Sequence, residues 1–142
     1  MVELDHSFTS EKPTDEMWAA ILDLERLVPL VQGGRVLDRT GDDSVRAEII
    51  VKMGAMSMTF TGTVEVVDED DADHRAVMQV KSREAGGQGY ANADVTFALS
   101  DGGGTIHTAA QISGKAASMG EGVVVSVLDA LIRDFAGKLA TI

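Results

Sequence analysis

The stretch SGKAASMGEGVVVSVLDALIRDFAGKLATI, Ser113–Ile142, organises the rest of the chain. From about Ala116 to Ala140 it contains no Pro, and Val124, Leu128, Leu131, Phe135 and Leu139 recur at the three-and-four spacing of one helical face. Ser126, Asp129, Arg133 and Gly137 fall on the other face. The spacing predicts one long amphipathic helix of roughly seven turns. Its first half carries Val123, Val124, Val125, Val127 and Leu128 after Gly114, Gly120 and Gly122. β-Branched residues and glycines weaken a helix locally, so this half needs a large apolar surface to lie against. The rest of the chain supplies a sheet.

Val2, Leu4, His6 and Phe8 alternate with polar neighbours, which predicts a strand. Pro13 and Thr14 open a short helix with Asp15 and Glu16 near its start and Met17, Trp18, Ile21 and Leu22 on its apolar side. A second short helix over Leu24, Leu27, Val28 and Leu30 is interrupted by Pro29 and ended by Gly33 and Gly34. Strands are then expected over about 35–40, 44–53, 56–67, 74–83, 90–99 and 105–112, joined as consecutive antiparallel hairpins.

In such a meander every second connection lies at the same end of the sheet. The connections at 41–43, 68–73 and 100–104 share an end rich in Asp and Glu, which reads as a solvated face. The connections at 52–56, 83–90 and 112–120 share the opposite end, with Gly54, Gly86, Gly87, Gly89, Gly114 and Gly120, three Met residues and the cations Lys52, Lys81, Arg83 and Lys115. One sheet face is apolar and the other wet. Ala47, Ala76, Ala91 and Ala93 are small for inward positions; they leave room for an internal cavity or for a collapsed core, and periodicity alone leaves both open.

The 142 residues read as one domain, 1–142. Twelve basic against 23 acidic residues give a net charge of -11, which argues against nucleic acid as a partner. With no Cys there is neither a disulfide framework nor a thiolate site, and no apolar run reaches the ~18 residues of a membrane span. His6, His74 and His107 lack metal-ligand spacing; His6 shares the apolar parity of its strand and reads as a core or rim histidine. Neither Gly87-Gln88-Gly89 nor Gly102-Gly103-Gly104 has the strand, Lys and helix of a phosphate loop, and no nucleophile elbow occurs. Seven Met against four Phe, one Trp and one Tyr favour adaptable packing.

The element order resembles the helix-grip, START-like (SRPBCC) architecture, an α+β fold in which a seven-stranded curved antiparallel sheet wraps a long C-terminal helix, with two short helices after the first strand. Five stretches resemble, within it, the CoxG family, named for an accessory subunit of carbon monoxide dehydrogenase. These are Pro13-Thr14-Asp15-Glu16-Met17-Trp18, Leu24-Glu25-Arg26-Leu27-Val28-Pro29, Lys52-x-Gly54 with Phe60-x-Gly62, Gly87-Gln88-Gly89-Tyr90-Ala91-Asn92-Ala93, and Ile112-Ser113-Gly114-Lys115.

The resemblance implies a non-catalytic, monomeric accessory protein of a molybdenum carbon monoxide dehydrogenase or related hydroxylase, cytoplasmic and peripherally associated with the inner face of the cell membrane. Family members commonly carry a membrane-contacting tail beyond the domain; this sequence ends at Ile142, directly after the helix. A cavity fold beside an oxidase that passes electrons to a respiratory chain suggests carriage of an isoprenoid quinone, menaquinone or ubiquinone, as a ligand with no covalent cofactor. An apolar tunnel is required because each buried CH₂ is worth ~0.8 kcal/mol. The candidate lining is Met53, Met56, Met58, Phe60, Met78 and Phe97 from the sheet. Met119, Val123, Val127 and Leu131 join it from the helix region, and Trp18 and Tyr90 complete it. Lys52, Arg83 and Lys115 form a candidate rim facing membrane or partner. An adaptor acting through its outer surface alone, and a cyclase or aromatase-like enzyme, are the competing readings; the enzyme needs a convergent acid and base that the sequence does not display.

Overall fold

Period-two alternation becomes strand almost wherever it occurs. The computed structural model describes residues 1–142. It runs β1 (Val2–Thr9), α1 (Thr14–Leu22), α2 (Leu24–Leu27), a 3-10 turn (Val28–Leu30), β2 (Gly34–Gly41), β3 (Ser44–Met53), β4 (Met56–Asp70), β5 (Arg75–Glu84), β6 (Gly89–Ser100), β7 (Gly103–Gly114), a second 3-10 turn (Ala117–Met119) and α3 (Glu121–Leu139). The strands form one seven-stranded antiparallel sheet in the order β1-β7-β6-β5-β4-β3-β2. β1 closes against β7, with His6 opposite Ile106 and Leu4 opposite Thr108. This is the α+β helix-grip arrangement expected from the order of elements.

Two expectations change. The long helix begins at Glu121, not Ala116, and its 19 residues make about five turns. Gly120 has φ 101°, a left-handed backbone that separates the preceding 3-10 turn from the helix proper. Strand β4 also extends further than the alternation implied. A register shift between Val66 and Asp68 inserts one unpaired residue, so Asp68, Glu69 and Asp70 remain in strand and pair with β5.

The acidic end does more than face water. Trp18 Nε1 donates to Asp71 Oδ1 at 2.9 Å, and Thr14 Oγ1 donates to Asp101 Oδ1 at 3.0 Å. Two turn carboxylates thus hold α1 over that end. The neighbouring Asp71 carboxylate raises the Glu69 carboxyl above its ordinary pKa, chiefly by favouring its protonated, hydrogen-bonding form.

The core is divided. A larger cluster joins Met17, Trp18, Ile21, Leu24 and Leu27 of the short helices to Phe97 and Ile106 of the sheet and to Phe135, Ala136 and Leu139 of α3. A smaller cluster joins Val51, Met53, Met58 and Phe60 to Ala116 and Val124 at the glycine-rich end. Between them, the middle of α3 is less tightly covered: Leu128, Leu131 and Ile132 are only half-buried although they sit on the sheet-facing side.

Candidate ligand cavity

The half-buried middle of α3 faces a void. An apolar chamber of about 250 Å³ lies between α3, the inner sheet face and the α2 region. Leu27, Val28 and Val31 close one side, Leu128, Leu131 and Ile132 another, and Val64, Met78, Val95 and Phe97 the sheet floor. A second apolar chamber of about 150 Å³ continues toward the glycine-rich end, bounded by Val51, Met53, Ala116, Val124 and Val127. The chambers adjoin, with Ile49, Phe60, Ala93, Ala110, Leu128 and Leu131 bordering both. Small inward residues make the room: Ala47, Ala93 and Ala110 stand where larger side chains would fill it.

Gly62 contributes in another way. A Cβ there would meet the Lys81 carbonyl oxygen at 1.8 Å, so only glycine allows β4 and β5 to close together at this point of the chamber wall.

Of the residues singled out in sequence, Phe60, Met78, Phe97 and Leu131 border the larger chamber, and Met53 and Val127 the smaller. Six others lie elsewhere. Met58 is packed solid in the smaller core cluster, and Met119 leans on that cluster from the turn before α3. Met56, opposite Met53 at the hairpin end, is half-buried outside both chambers. Val123 is 40% exposed, because α3 has turned it away from the sheet in its first turn. Trp18 belongs to the larger core cluster, edge-on to His74. Tyr90 shares the outward parity of Arg83, its pairing partner, and lines a polar depression on the outer face with Thr61, Lys81 and Asn92.

Lys52, Arg83 and Lys115 are exposed at the glycine-rich end as expected. None of them, nor Lys81, forms a salt bridge, whereas Arg35, Arg39, Arg46, Arg133 and Lys138 all do. No helix is long and apolar enough to cross a membrane.

The sequence reading missed a polar feature beside the larger chamber. His6 Nε2 lies 2.8 Å from Asp129 Oδ1, linking β1 to α3, and the His6 side chain is only 9% exposed. Asp129, assigned in sequence to the outer helix face, is half-buried instead, because that flank of α3 runs over the edge strand. Its carboxyl pKa is lowered by the hydrogen bond from Arg133 Nη2, 2.8 Å away, and then by the one to His6. His6 Nδ1 and Thr108 Oγ1 are both buried without a hydrogen-bond partner. Thr108 borders the chamber. Its signal was its place in the inward row Ile106, Thr108, Ala110 and Ile112, the one hydroxyl among apolar positions.

A curved antiparallel sheet gripping a long helix across an apolar hollow defines the helix-grip, START-like class. Solved structures agree on the fold. A conserved protein from Geobacillus kaustophilus superposes with a TM-score of 0.79 at 21% identity, covering 98% of this chain and 91% of that one. A protein from Thermus thermophilus gives 0.64 at 13% identity, covering 97% and 95%. The Zhui aromatase/cyclase from Streptomyces sp. R1128 gives 0.56 at 12% identity, covering 97% and 93%. No curated protein matches the sequence. The family model for CoxG, a subunit of carbon monoxide dehydrogenase, matches residues 7–141, and the chain belongs to that family.

Proposed function

We propose that this protein is a non-catalytic carrier of a lipophilic small molecule, an isoprenoid quinone such as menaquinone or ubiquinone, serving a molybdenum carbon monoxide dehydrogenase or related hydroxylase at the membrane surface. The observation that carries the reading is the pair of adjoining apolar chambers between two well-packed core clusters. An unfilled apolar void of this size forgoes packing energy on the order of several kcal/mol, which a cargo would restore. The combined space is near the lower end of small-molecule sites, ~300–1,000 Å³, and suits a ring with the first part of an isoprenoid chain. Family membership supports the dehydrogenase as partner.

Carriage is favoured over turnover by the lining. Of the residues bordering the two chambers only Glu48 is ionisable, and Arg35 Nε holds its carboxylate at 3.1 Å. The adaptor reading keeps one observation in its favour: the cations of the glycine-rich end are unpaired and available to anionic headgroups or an acidic partner. The two readings separate when purified protein is mixed with quinone-bearing liposomes and the liposomes are pelleted. A carrier leaves near-stoichiometric quinone with the protein in the supernatant. An adaptor co-sediments or stays free, and extracts none.

A further inference from the structure

The outer face of the sheet carries a polar depression of about 690 Å³, backing onto the chamber wall through Gly62 and Ser82. Register builds it from two rows. Thr61, Arg83 and Tyr90 stand opposite one another across β4, β5 and β6, and Thr63, Lys81 and Asn92 form the next row. Thr61, Tyr90 and Asn92 are half-buried and make the floor, with the two cations exposed above it. Lys81 and Arg83 are two residues apart on one strand, so both side chains rise from the same face about 7 Å apart at their Cα atoms. Gly87 and Gly89 bound the depression without side chains to close it.

The neighbouring carboxylates are committed elsewhere. Glu84, the one that lines the depression, accepts from the Gly86 amide at 2.6 and 3.0 Å. Glu48, opposite Thr61, is held by Arg35 at 3.1 Å, and Asp38 is held by Arg46, opposite Thr63, at 3.1 Å. Lys81 and Arg83 thus form no salt bridge in a chain of net charge -11. Asn92 Oδ1 accepts from the Ser82 amide at 3.3 Å, which leaves the Nδ2 group free to donate. Past Lys81, the next row sets Glu65 and Asp94 on either side of Gln79, so the positive field is confined to two rows.

We propose that this depression is a binding site for a soluble phosphate monoester. Every side chain in the two rows can donate a hydrogen bond, and two of them are cations. That set matches a compact group with close to two negative charges and three acceptor oxygens, which is what a phosphate monoester presents at neutral pH. A carboxylate brings one charge and two oxygens, and leaves one cation uncompensated. An extended anionic surface meets Glu65 and Asp94 as soon as it spreads past the two rows. The inference is independent of the carrier reading, since the six side chains stand on the opposite face of the sheet from the chambers.

The test is an NMR titration of the nitrogen-labelled protein with glycerol phosphate and with acetate, beside sedimentation with phosphatidylcholine vesicles containing phosphatidylglycerol. Sodium chloride holds the ionic strength at about 0.1 M throughout. Wild type, Lys81→Gln and Arg83→Gln are compared with Arg46→Gln, which removes a paired cation from the same face, and thermal unfolding checks folding. Glycerol phosphate is expected to shift the amides of Thr61, Lys81, Arg83 and Asn92 to saturation and to bind about tenfold more tightly than acetate. Lys81→Gln and Arg83→Gln are each expected to weaken it about tenfold, the scale of a lost charge-assisted hydrogen bond, and Arg46→Gln to leave it unchanged. Equal affinity for acetate and glycerol phosphate, no saturable shift, or unaltered affinity in folded Lys81→Gln and Arg83→Gln overturns the site. An equal loss in Arg46→Gln overturns it too, by reducing the effect to net charge. Vesicle binding abolished by Lys81→Gln and Arg83→Gln, with no glycerol phosphate bound, overturns it in favour of a membrane contact.

Discussion

The indole of Trp18 donates to the carboxylate of Asp71 at 2.9 Å, pinning α1 to the turn between β4 and β5. The chain's single Trp is thus a fastener at the acidic end, 8% exposed, with its ring edge-on to His74. Replacing Trp18 with Phe keeps an aromatic ring and removes the donor. The expected loss is about 1.5 kcal/mol in urea denaturation, the scale of a hydrogen bond to a charged group. Asp71→Asn should cost less than the full amount, because the amide oxygen can still accept. A Trp18→Phe variant as stable as wild type would mean that packing alone holds α1.

At Gly62 the limit is space. An added Cβ would stand 1.8 Å from the Lys81 carbonyl oxygen and 2.6 Å from the Ser82 Cα, both backbone atoms that cannot step aside cheaply. Gly62→Ala is expected to destabilise the protein by about 3 kcal/mol and to loosen the β4–β5 pairing that forms part of the chamber wall. Hydrogen exchange at the β4 and β5 amides reads that loosening directly. Unchanged protection there would contradict the account of the close approach.

These positions show how far the sequence could be read. The strands were legible because alternation and turn residues act locally: the pattern predicts a strand over 44–53, and β3 forms over Ser44–Met53. The start of α3 was not, because Ala116, Ala117, Ser118 and Met119 suit a helix as well as a turn, and the left-handed Gly120 decides between them. Site residues were legible where parity and depth coincide, as at Phe60 and Phe97. Parity without depth misplaced Met58, buried in solid packing beyond the chamber's edge. Tyr90 follows the opposite lesson, since its own strand parity with Asn92 already sets it apart from inward Ala91 and Ala93. Asp129 was misread because a polar helix flank was equated with solvent, when β1 and its inward His6 lie beneath it.

On the outer face, His107 Nδ1 lies 2.6 Å from Asp5 Oδ1 and its Nε2 3.5 Å from Glu3 Oε1, tying β7 to β1. The Asp5 hydrogen bond, followed by the negative charges of Asp5 and Glu3, raises the imidazole above its ordinary pKa. A group whose pKa rises on folding contributes stability that is full below the unfolded pKa and is lost as pH rises through the folded one. His107→Gln should therefore reduce stability at about pH 5.5 and be nearly neutral at about pH 9. The effect is modest at this exposed site. An equal loss at both pH values would assign the role of His107 to packing rather than charge.

A filled cavity also predicts linkage. A ligand that binds only the folded protein, present at 100 times its Kd, adds about 2.7 kcal/mol of stability. Protein stripped of lipid should therefore melt several degrees lower than protein reloaded with prenylated quinone. Ala93→Leu adds bulk where the two chambers meet and should lose this ligand-dependent increment while melting at or above the stripped wild type. An increment of the same size in Ala93→Leu would place the ligand outside the chambers.

The most direct test of cargo carriage is mass spectrometry of an organic-solvent extract of the protein, purified from a quinone-producing host beside Ala93→Leu and Val127→Trp. The account predicts an isoprenoid quinone or quinol near one per protein in wild type and its loss from both folded variants. A clean wild-type extract, with no uptake when quinone is added, would contradict it and leave the surface adaptor as the working function.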